Sequence, residues 1–258
     1  MLNLVSNYHT HTYRCHHAKG SDREFVEAAV SARLKTLGFS DHAPFPFKNG
    51  YVSKPRMALS ELGDYFASIC ALRDEFAGKI DIHIGLEAEY YVALWPEFKA
   101  IIADYPCEYL LLGHHYYSLD EQSSYLGVAF DDAKLLELYT DQVVAAIESG
   151  DFLYVAHPDI ANFTGSEKAY SEQARRICRA AKVAEMPLEV NALGMRELRW
   201  YPRGLFFESA AEEGNDLIIG VDAHHPKHFT DEEAEAAIKD CRDFADSFGL
   251  KLLDGMPL

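Results

Sequence analysis

The sequence predicts an α/β protein built as a parallel β/α barrel of seven units. Apolar, β-branched runs alternate with longer amphipathic stretches along the 258 residues, and this alternation is typical of parallel strands joined by helical crossovers. Six of the seven apolar runs end in His, Glu or Asp. In a β/α barrel such ends gather at the rim where these folds carry out their chemistry. A doubly wound open sheet is the alternative that periodicity alone leaves open.

The elements follow one another in a regular order. The apolar pattern predicts strands at Leu4–His11, Thr36–His42, Ile80–Glu87, Tyr109–His115, Phe152–His157, Leu188–Asn191 and Leu217–His224. Amphipathic periodicity predicts helices at Asp22–Arg33, Leu59–Phe76, Ala133–Ser149, Ser171–Glu185, Pro202–Gly214 and Asp231–Phe248. Thr230 is the expected N-cap of the last helix. The loops at 44–58, 116–131 and 192–203 are long, and we expect them to shape a pocket.

The composition predicts a single domain over residues 1–258. The chain is 48% hydrophobic and 25% charged, which is enough for one sizeable core and too short for two full domains. A run of eighteen apolar residues does not occur, so no membrane span is expected. The first five residues lack a basic region before the His-rich segment, so a signal peptide is not expected either.

The charge balance restricts the class of partner. The chain has 24 basic and 41 acidic residues, a formal charge of −17. Such a surface repels a nucleic-acid backbone, which disfavours DNA or RNA binding. A small anionic substrate would need local positive charge, and bound divalent cations would supply it.

The five cysteines predict reduced thiols and a cytoplasmic protein, because they are scattered and form no Cys-x-x-Cys pair. The same scatter argues against a zinc site built from thiolates. The oligomeric state is not readable from the sequence.

The polar strand ends form ordered motifs. They are His9-Thr10-His11, Ser40-Asp41-His42, Gly85-Leu86-Glu87, Gly113-His114-His115, Ala156-His157-Pro158 and Asp222-Ala223-His224. Residues i and i+2 of a strand share a face, so His9 and His11 can bind one ion, and Asp222 and His224 can reach the same cavity. Imidazole and carboxylate ligands suit zinc, manganese or iron. Roughly nine such ligands exceed what one or two ions need, so we expect three.

These motifs, in this order and over nearly the whole chain, resemble those of the polymerase and histidinol phosphatase (PHP) superfamily. A narrower likeness to the histidinol-phosphate phosphatases rests on residues 40–46, Ser-Asp-His-Ala-Pro-Phe-Pro, and on Glu189-Val190-Asn191 followed by Gly194-Met195-Arg196. The resemblance implies a distorted, TIM-like (β/α)7 barrel. It also implies a metal-dependent phosphomonoesterase that hydrolyses L-histidinol phosphate in histidine biosynthesis.

The resemblance further implies a centre of three divalent metal ions. Its ligands would be His9, His11, Glu87 and Asp222 for the first ion, Glu87, His115 and His157 for the second, and His17, His42 and His224 for the third. Glu87 would bridge two ions, and Glu87 and Asp222 would act in catalysis through the metals.

Three ligand assignments have neighbours that compete with them. Glu89 lies two residues beyond Glu87 and shares its strand face, so it is the alternative bridge. Adjacent strand residues point in opposite directions, so only one of His114 and His115 should face the metals. A similar choice exists in the loop between His16 and His17.

Phosphomonoester hydrolysis needs a nucleophile at neutral pH and neutralisation of the charge on the phosphoryl group. Two close cations lower the pKa of a bridging water, so the expected nucleophile is a metal-bridging hydroxide. Arg196 and Arg199 follow the sixth strand in a loop, as phosphate-binding arginines would. Asp41 and Asp159 flank ligand histidines, and we expect them to orient the imidazoles.

Three other functions are compatible with parts of the pattern. Amidohydrolases also begin with His-x-His, but they typically need a bridging lysine after the fourth strand, where this chain has His114-His115. A PHP-type phosphoesterase acting on nucleotide monophosphates or other small esters is a closer alternative. A non-catalytic metal-binding module has no evident need for so many ligands.

Overall fold

The computed structural model describes residues 2–48, 50–120 and 123–258. In these ranges the strands are β1 (Ser6–Asn7), β2 (Thr36–His42), β3 (Asp81–Ala88), β4 (Tyr109–Leu112), β5 (Tyr154–Val155), β6 (Leu188–Asn191), β7 (Asp216–Gly220) and β8 (Lys251–Leu253). They form one sheet in sequence order, and each strand pairs in parallel with the next. Because parallel neighbours need a crossover, all the carboxyl ends lie at one edge.

Helices connect these strands and cover the sheet. They are α1 (Asp22–Ser31), α2 (Leu62–Glu75), α3 (Trp95–Ile102), α4 (Ala133–Ser149), α5 (Glu167–Val183), α6 (Ala192–Arg196), α7 (Gly204–Glu213) and α8 (Glu232–Ser247). Short 3-10 turns occur at Tyr13–Cys15, Leu59–Glu61 and Pro226–Phe229. The expected N-cap at Thr230 is wrong by one residue, because the Asp231 side chain accepts the bond from the Ala234 N–H at 2.8 Å. Within the described residues, the structure contains no helix with the length and apolarity needed to span a membrane.

The sheet curls until its first and seventh strands meet at the carboxyl edge. The backbone N–H of His11 donates to the carbonyl of Ala223 at 2.9 Å, and the Ala223 N–H donates to the carbonyl of His9 at 3.1 Å. These bonds make the sheet a distorted barrel, so the predicted fold is confirmed. All seven predicted strands are present: β2 and β6 have the predicted bounds, β3 is shifted by one residue, and β1, β4, β5 and β7 are shorter than predicted. The strand β8 is an additional strand beside β7.

Two of the strands end early because the backbone turns out of the extended region. His157 has φ of 29° and Asp222 has φ of 52°, so β5 and β7 stop before the positions expected from apolar pattern. Non-glycine residues with positive φ are uncommon and cluster at functional sites. Both side chains are thereby turned toward the barrel mouth.

An aromatic layer fills the barrel below this mouth. The Tyr109 hydroxyl lies 2.8 Å from the carbonyl oxygen of Tyr8 and 2.9 Å from that of Phe39, and Tyr154 is fully buried beside them. Gly38 makes this close approach possible, since a Cβ there would lie 2.8 Å from the Cα of Tyr8. The polar residues at the barrel mouth therefore lie directly above a packed layer of aromatic side chains.

Candidate metal centre

Glu87, at the end of β3, is the centre of the polar cluster. Its Oε1 lies 2.8 Å from His157 Nε2, and its Oε2 lies 2.9 Å from His42 Nδ1. The Nε2 atoms of His9 and His11 each lie 3.6 Å from a Glu87 oxygen. Four imidazoles from three other strand ends thus converge on one buried carboxylate.

Asp222 is the second carboxylate of the cluster. Its Oδ1 lies 3.1 Å from His11 Nε2, 3.2 Å from His224 Nδ1 and 3.5 Å from His9 Nε2. Because the segment after β1 and the segment after β7 are hydrogen-bonded neighbours, the His-x-His and Asp-x-His motifs lie side by side at the barrel mouth.

Several overlapping sets of side chains have the spacing of metal ligands. In each set the candidate ligand atoms all lie within 4.8 Å of one another. The sets include His9/Glu87/His157, His9/His11/Asp222, His11/His42/His224, Cys15/His17/His224 and His11/Cys15/Asp41. Eight of the nine predicted ligands appear in these sets, and the ninth, His115, has Nε2 3.7 Å from Glu87 Oε1.

Buried polar atoms without partners indicate that the cluster is built around cations. Among the described residues, His9 Nε2, His11 Nε2, Glu87 Oε2 and Asp222 Oδ1 are buried and make no hydrogen bond of acceptable geometry. Buried polar atoms are nearly always satisfied. Metal ions would satisfy all four atoms at once, and the residues present therefore fit divalent metal ions.

The orientation of the rings agrees with this interpretation. Three of the imidazole rings direct Nδ1 at an oxygen atom. The Nδ1 of His9 lies 2.7 Å from Glu189 Oε1, that of His17 lies 2.6 Å from the Cys15 carbonyl oxygen, and that of His115 lies 2.9 Å from Glu89 Oε1. A proton on Nδ1 leaves the Nε2 lone pair free. Histidines that bind metals are usually oriented in this way by a carboxylate or carbonyl.

The electrostatics of the cluster also favour bound cations. Burial, followed by the neighbouring His224 and His11, lowers the pKa of His17 to about 4, so its imidazole is neutral at pH 7. Burial by itself would raise the pKa of Glu87, but the surrounding histidines, His42 first among them, hold it well below its usual value. Burial by itself would lower the pKa of His9 and His11, but the carboxylates beside them raise it well above its usual value, so a divalent ion bound there would displace their protons.

The structure distinguishes the competing neighbours. His115 lines the barrel mouth, whereas His114 Nε2 lies 2.6 Å from the Gln142 side-chain oxygen, away from the cluster. Glu89 Oε1 forms an ion pair with Arg56 at 2.8 Å, so Glu87 alone of the two glutamates is central. His16 and His17 both line the cavity, but it is His17 that stacks on His224, with ring centroids 4.8 Å apart.

The two aspartates predicted to orient imidazoles lie in different surroundings. Asp41 Oδ1 lies 3.4 Å from His11 Nδ1, as expected for an orienting carboxylate. Asp159 instead accepts a bond from the Arg203 backbone N–H, and the described contacts include none between Asp159 and a ligand histidine. Burial raises the pKa of Asp159 to about 7. Its expected orienting role is therefore not supported by its position.

Glu189 performs the role that was expected of Asp159. Besides holding His9 Nδ1, it accepts the His157 backbone N–H at 2.7 Å and the Asn191 amide at 2.8 Å. It is fully buried on β6. In the sequence, Glu189 is a charged residue within an apolar strand and shares a strand face with Asn191, two positions later. This pattern could have indicated its role.

The two arginines predicted to bind phosphate also differ. A cavity of about 620 Å³ opens above the cluster, and Arg199 lines it. Arg196 does not line this cavity: its guanidinium lies 2.6 Å from Asp231 and 2.5 Å from Glu233. The short helix α6 between β6 and the loop turns the two arginines in different directions.

The PHP domain family model matches residues 7–193. The chain belongs to the PHP domain family. The "Probable histidinol-phosphatase" of Deinococcus radiodurans is 32% identical over 244 residues, which cover 91% of this chain and 92% of that protein. The histidinol-phosphatase of Bacillus subtilis is 26% identical over 251 residues, covering 84% of this chain and 92% of the relative.

A solved structure of a PHP-like fold agrees with the architecture. The histidinol phosphate phosphatase of Lactococcus lactis, crystallised with zinc, L-histidinol and phosphate, superposes with a TM-score of 0.73. The alignment covers 96% of this chain and 95% of that one at 20% identity. The family match and the 32% identical relative confirm the expected membership of the PHP superfamily, and the superposition confirms the barrel fold.

Adjacent histidines provide a direct test of the ligand assignment. We expect His115→Asn to lower the metal content of the purified protein, with an affinity loss of at least about 10-fold. His114→Asn should retain its metal and lose only stability, because His114 contacts Gln142 at 2.6 Å and Glu89 at 3.2 Å, neither of which is a predicted metal ligand. Elemental analysis of both variants after dialysis measures this difference. Equal metal content in the two variants would contradict the assignment of His115.

Proposed function

We propose that this protein is a metal-dependent phosphomonoesterase whose substrate is L-histidinol phosphate, in histidine biosynthesis. The proposal rests on the buried cluster around Glu87 and Asp222, in which potential ligand atoms have no hydrogen-bond partner. Both carboxylates line the cavity that Arg199 also lines. The names of the relatives support the substrate. Reactions at phosphate monoesters depend on positioning and charge neutralisation, which this arrangement supplies.

We propose three divalent ions, zinc, manganese or iron, held by His9, His11, His17, His42, Glu87, His115, His157, Asp222 and His224. Ions bound there would neutralise charge on the phosphoryl group and activate a water for attack at neutral pH. The protein contributes fixed geometry, since Glu189, Asp41 and Glu89 hold ring nitrogens from behind. The chain therefore does not need a serine or cysteine nucleophile.

The cavity also provides surfaces for both ends of the substrate. Arg199 can donate to phosphate oxygens. Glu197, which pairs with Arg199, lines the same space as Tyr116 and Tyr125, and the two tyrosine rings can enclose an imidazole. The resulting site is specific for a short phosphate ester and not for a long polymer.

Catalytic efficiency across a panel of esters tests this proposal. We expect kcat/KM for histidinol phosphate to exceed that for AMP and for p-nitrophenyl phosphate, and all three activities to disappear after chelation and to return with added metal. Preference for AMP would assign the protein to another PHP-type phosphoesterase. Full activity after verified metal removal would reject the metal mechanism.

We also propose that residues 1–258 form one catalytic domain that acts in the cytoplasm. Strands from the two ends of the chain, β1 and β8, belong to one sheet, which supports a single unit. The five cysteines are all free thiols, as expected in a reducing compartment.

A further inference from the structure

The cavity is lined by two side chains of fixed positive charge among the described residues, Lys54 and Arg199. The charge of Arg199 is already engaged. Its Nε and Nη2 lie 2.8 and 2.6 Å from Glu197 Oε2, and its Nη1 donates to the Tyr201 hydroxyl at 2.7 Å. Arg199 therefore brings little net charge to the cavity.

Lys54 differs from Arg199 in having no such counter-charge. In the part of the chain that the structure describes, no carboxylate lies within 4.0 Å of its ammonium group, although acidic residues outnumber basic ones by 41 to 24. Among the described residues, five of the twelve lysines form an ion pair and seven do not, and Lys54 is the lysine that lines the cavity. Its position at a cavity above a metal cage indicates that its partner is an anion from solution.

The backbone on both sides of Lys54 is held by buried side chains. The Ser53 hydroxyl donates to Asp120 Oδ2 at 2.6 Å. Arg56 donates to the same carboxylate from Nε at 2.8 Å and from Nη2 at 3.2 Å. Ser53, Arg56 and Asp120 are all buried. We call Ser53, Arg56 and Asp120 the Asp120 clamp. The clamp holds the loop at Ser53, one residue before Lys54, and at Arg56, two residues after it.

The Asp120 clamp is joined to the metal centre. Arg56 Nη2 also donates to Glu89 Oε1 at 2.8 Å. Glu89 in turn accepts the backbone N–H of His115 at 2.8 Å and faces its Nδ1 at 2.9 Å. One continuous set of charge-assisted bonds therefore fixes the position of the Lys54 backbone relative to a ligand histidine.

We propose that Lys54 is a further phosphate-binding residue, presented to the cavity by the Asp120 clamp. This inference rests on the proposed phosphatase function and adds a residue to it. A lysine is a point charge on a flexible stem, so it can follow the phosphoryl group, whereas the fork of Arg199 is held by Glu197 and Tyr201. The clamp fixes the origin of the side chain and leaves its ammonium group free to move.

The test compares Lys54→Met with Lys48→Met. Lys48 belongs to the same loop, but its ammonium lies 2.6 Å from Glu97 and it does not line the cavity. For Lys54→Met we expect kcat/KM toward p-nitrophenyl phosphate to fall roughly 10- to 100-fold and the Kd of inorganic phosphate, measured by calorimetry on metal-loaded protein, to rise by a similar factor. Metal content should not change, and Lys54→Arg should restore most of the affinity. Lys48→Met should behave as wild type.

Unchanged phosphate affinity in Lys54→Met, or an equal loss in Lys48→Met, would overturn the proposal. Loss of metal from Lys54→Met would overturn it too, since the residue would then act on the metal cage. If the wild-type protein hydrolyses no phosphate ester, the proposed function fails. The calorimetric comparison with inorganic phosphate still decides whether Lys54 binds phosphate.

Discussion

Replacing Glu87 with glutamine is expected to lower kcat/KM by more than about 100-fold and to lower the metal content of the protein. The carboxylate faces His157 at 2.8 Å and His42 at 2.9 Å and is almost fully buried. Glutamine has nearly the same shape but carries no charge, and its NH2 group would point hydrogens at ligand nitrogens. The variant should therefore fold and still fail to hold its ions. Steady-state kinetics with p-nitrophenyl phosphate and elemental analysis measure both effects.

Glu97→Gln is the matched control for this experiment. Glu97 is exposed and pairs with Lys48 at 2.6 Å, so the same chemical change there should leave activity and metal content unaltered. Circular dichroism should show both variants folded. A Glu87→Gln protein with wild-type activity and a full complement of metal would show that the cage is not centred on this residue.

The ligand cluster was predictable because it follows from two regular properties of the chain. Strand alternation places residues i and i+2 on one face, and parallel strands end at one rim. His9 and Glu87 are 78 positions apart in the sequence, yet their strand ends had to meet once the barrel was inferred. The order of motifs was therefore enough to bring the ligands together.

The supporting residues were not predictable in the same way. Glu189 lies on a strand, but Arg56 and Asp120 lie in long loops, where no periodicity indicates direction. Arg56 and Asp120 form a buried ion pair although they are 64 positions apart. In the sequence they cannot be told apart from two ordinary surface charges. The error over Arg196 has a related cause, because the turn of α6 after β6 was not anticipated. The strand β8 has three residues, too few for an apolar pattern.

Removing the charge of Arg56 is expected to destabilise the protein by roughly 3–5 kcal/mol, because two buried carboxylates lose the guanidinium that neutralises them. Arg56 is 2% exposed and bonds to both Glu89 and Asp120. In Arg56→Met the side-chain volume is partly kept while both ion pairs are lost. Urea denaturation of the metal-free protein measures the free energy of unfolding without a contribution from metal binding.

The pH dependence of this effect has a definite sign. Burial by itself would raise the pKa of Asp120, but Arg56 outweighs it and holds the pKa below its usual value. A carboxyl group with a lowered folded-state pKa stabilises the fold above its unfolded pKa of about 3.9 and loses that contribution as the pH falls below it. The difference between wild type and Arg56→Met should therefore be largest near neutral pH and shrink below about pH 4.

A double-mutant cycle separates the ion pair from simple loss of packing. Asp120→Asn alone should also destabilise, because it weakens the bonds to Arg56 and Ser53. Combined with Arg56→Met, it should cost clearly less than the two single changes added together, since the variant no longer buries the Asp120 charge without Arg56. Additive losses would mean that Arg56 contributes through packing alone. In that case the Asp120 clamp would not be the contact that fixes the position of the Lys54 loop relative to His115.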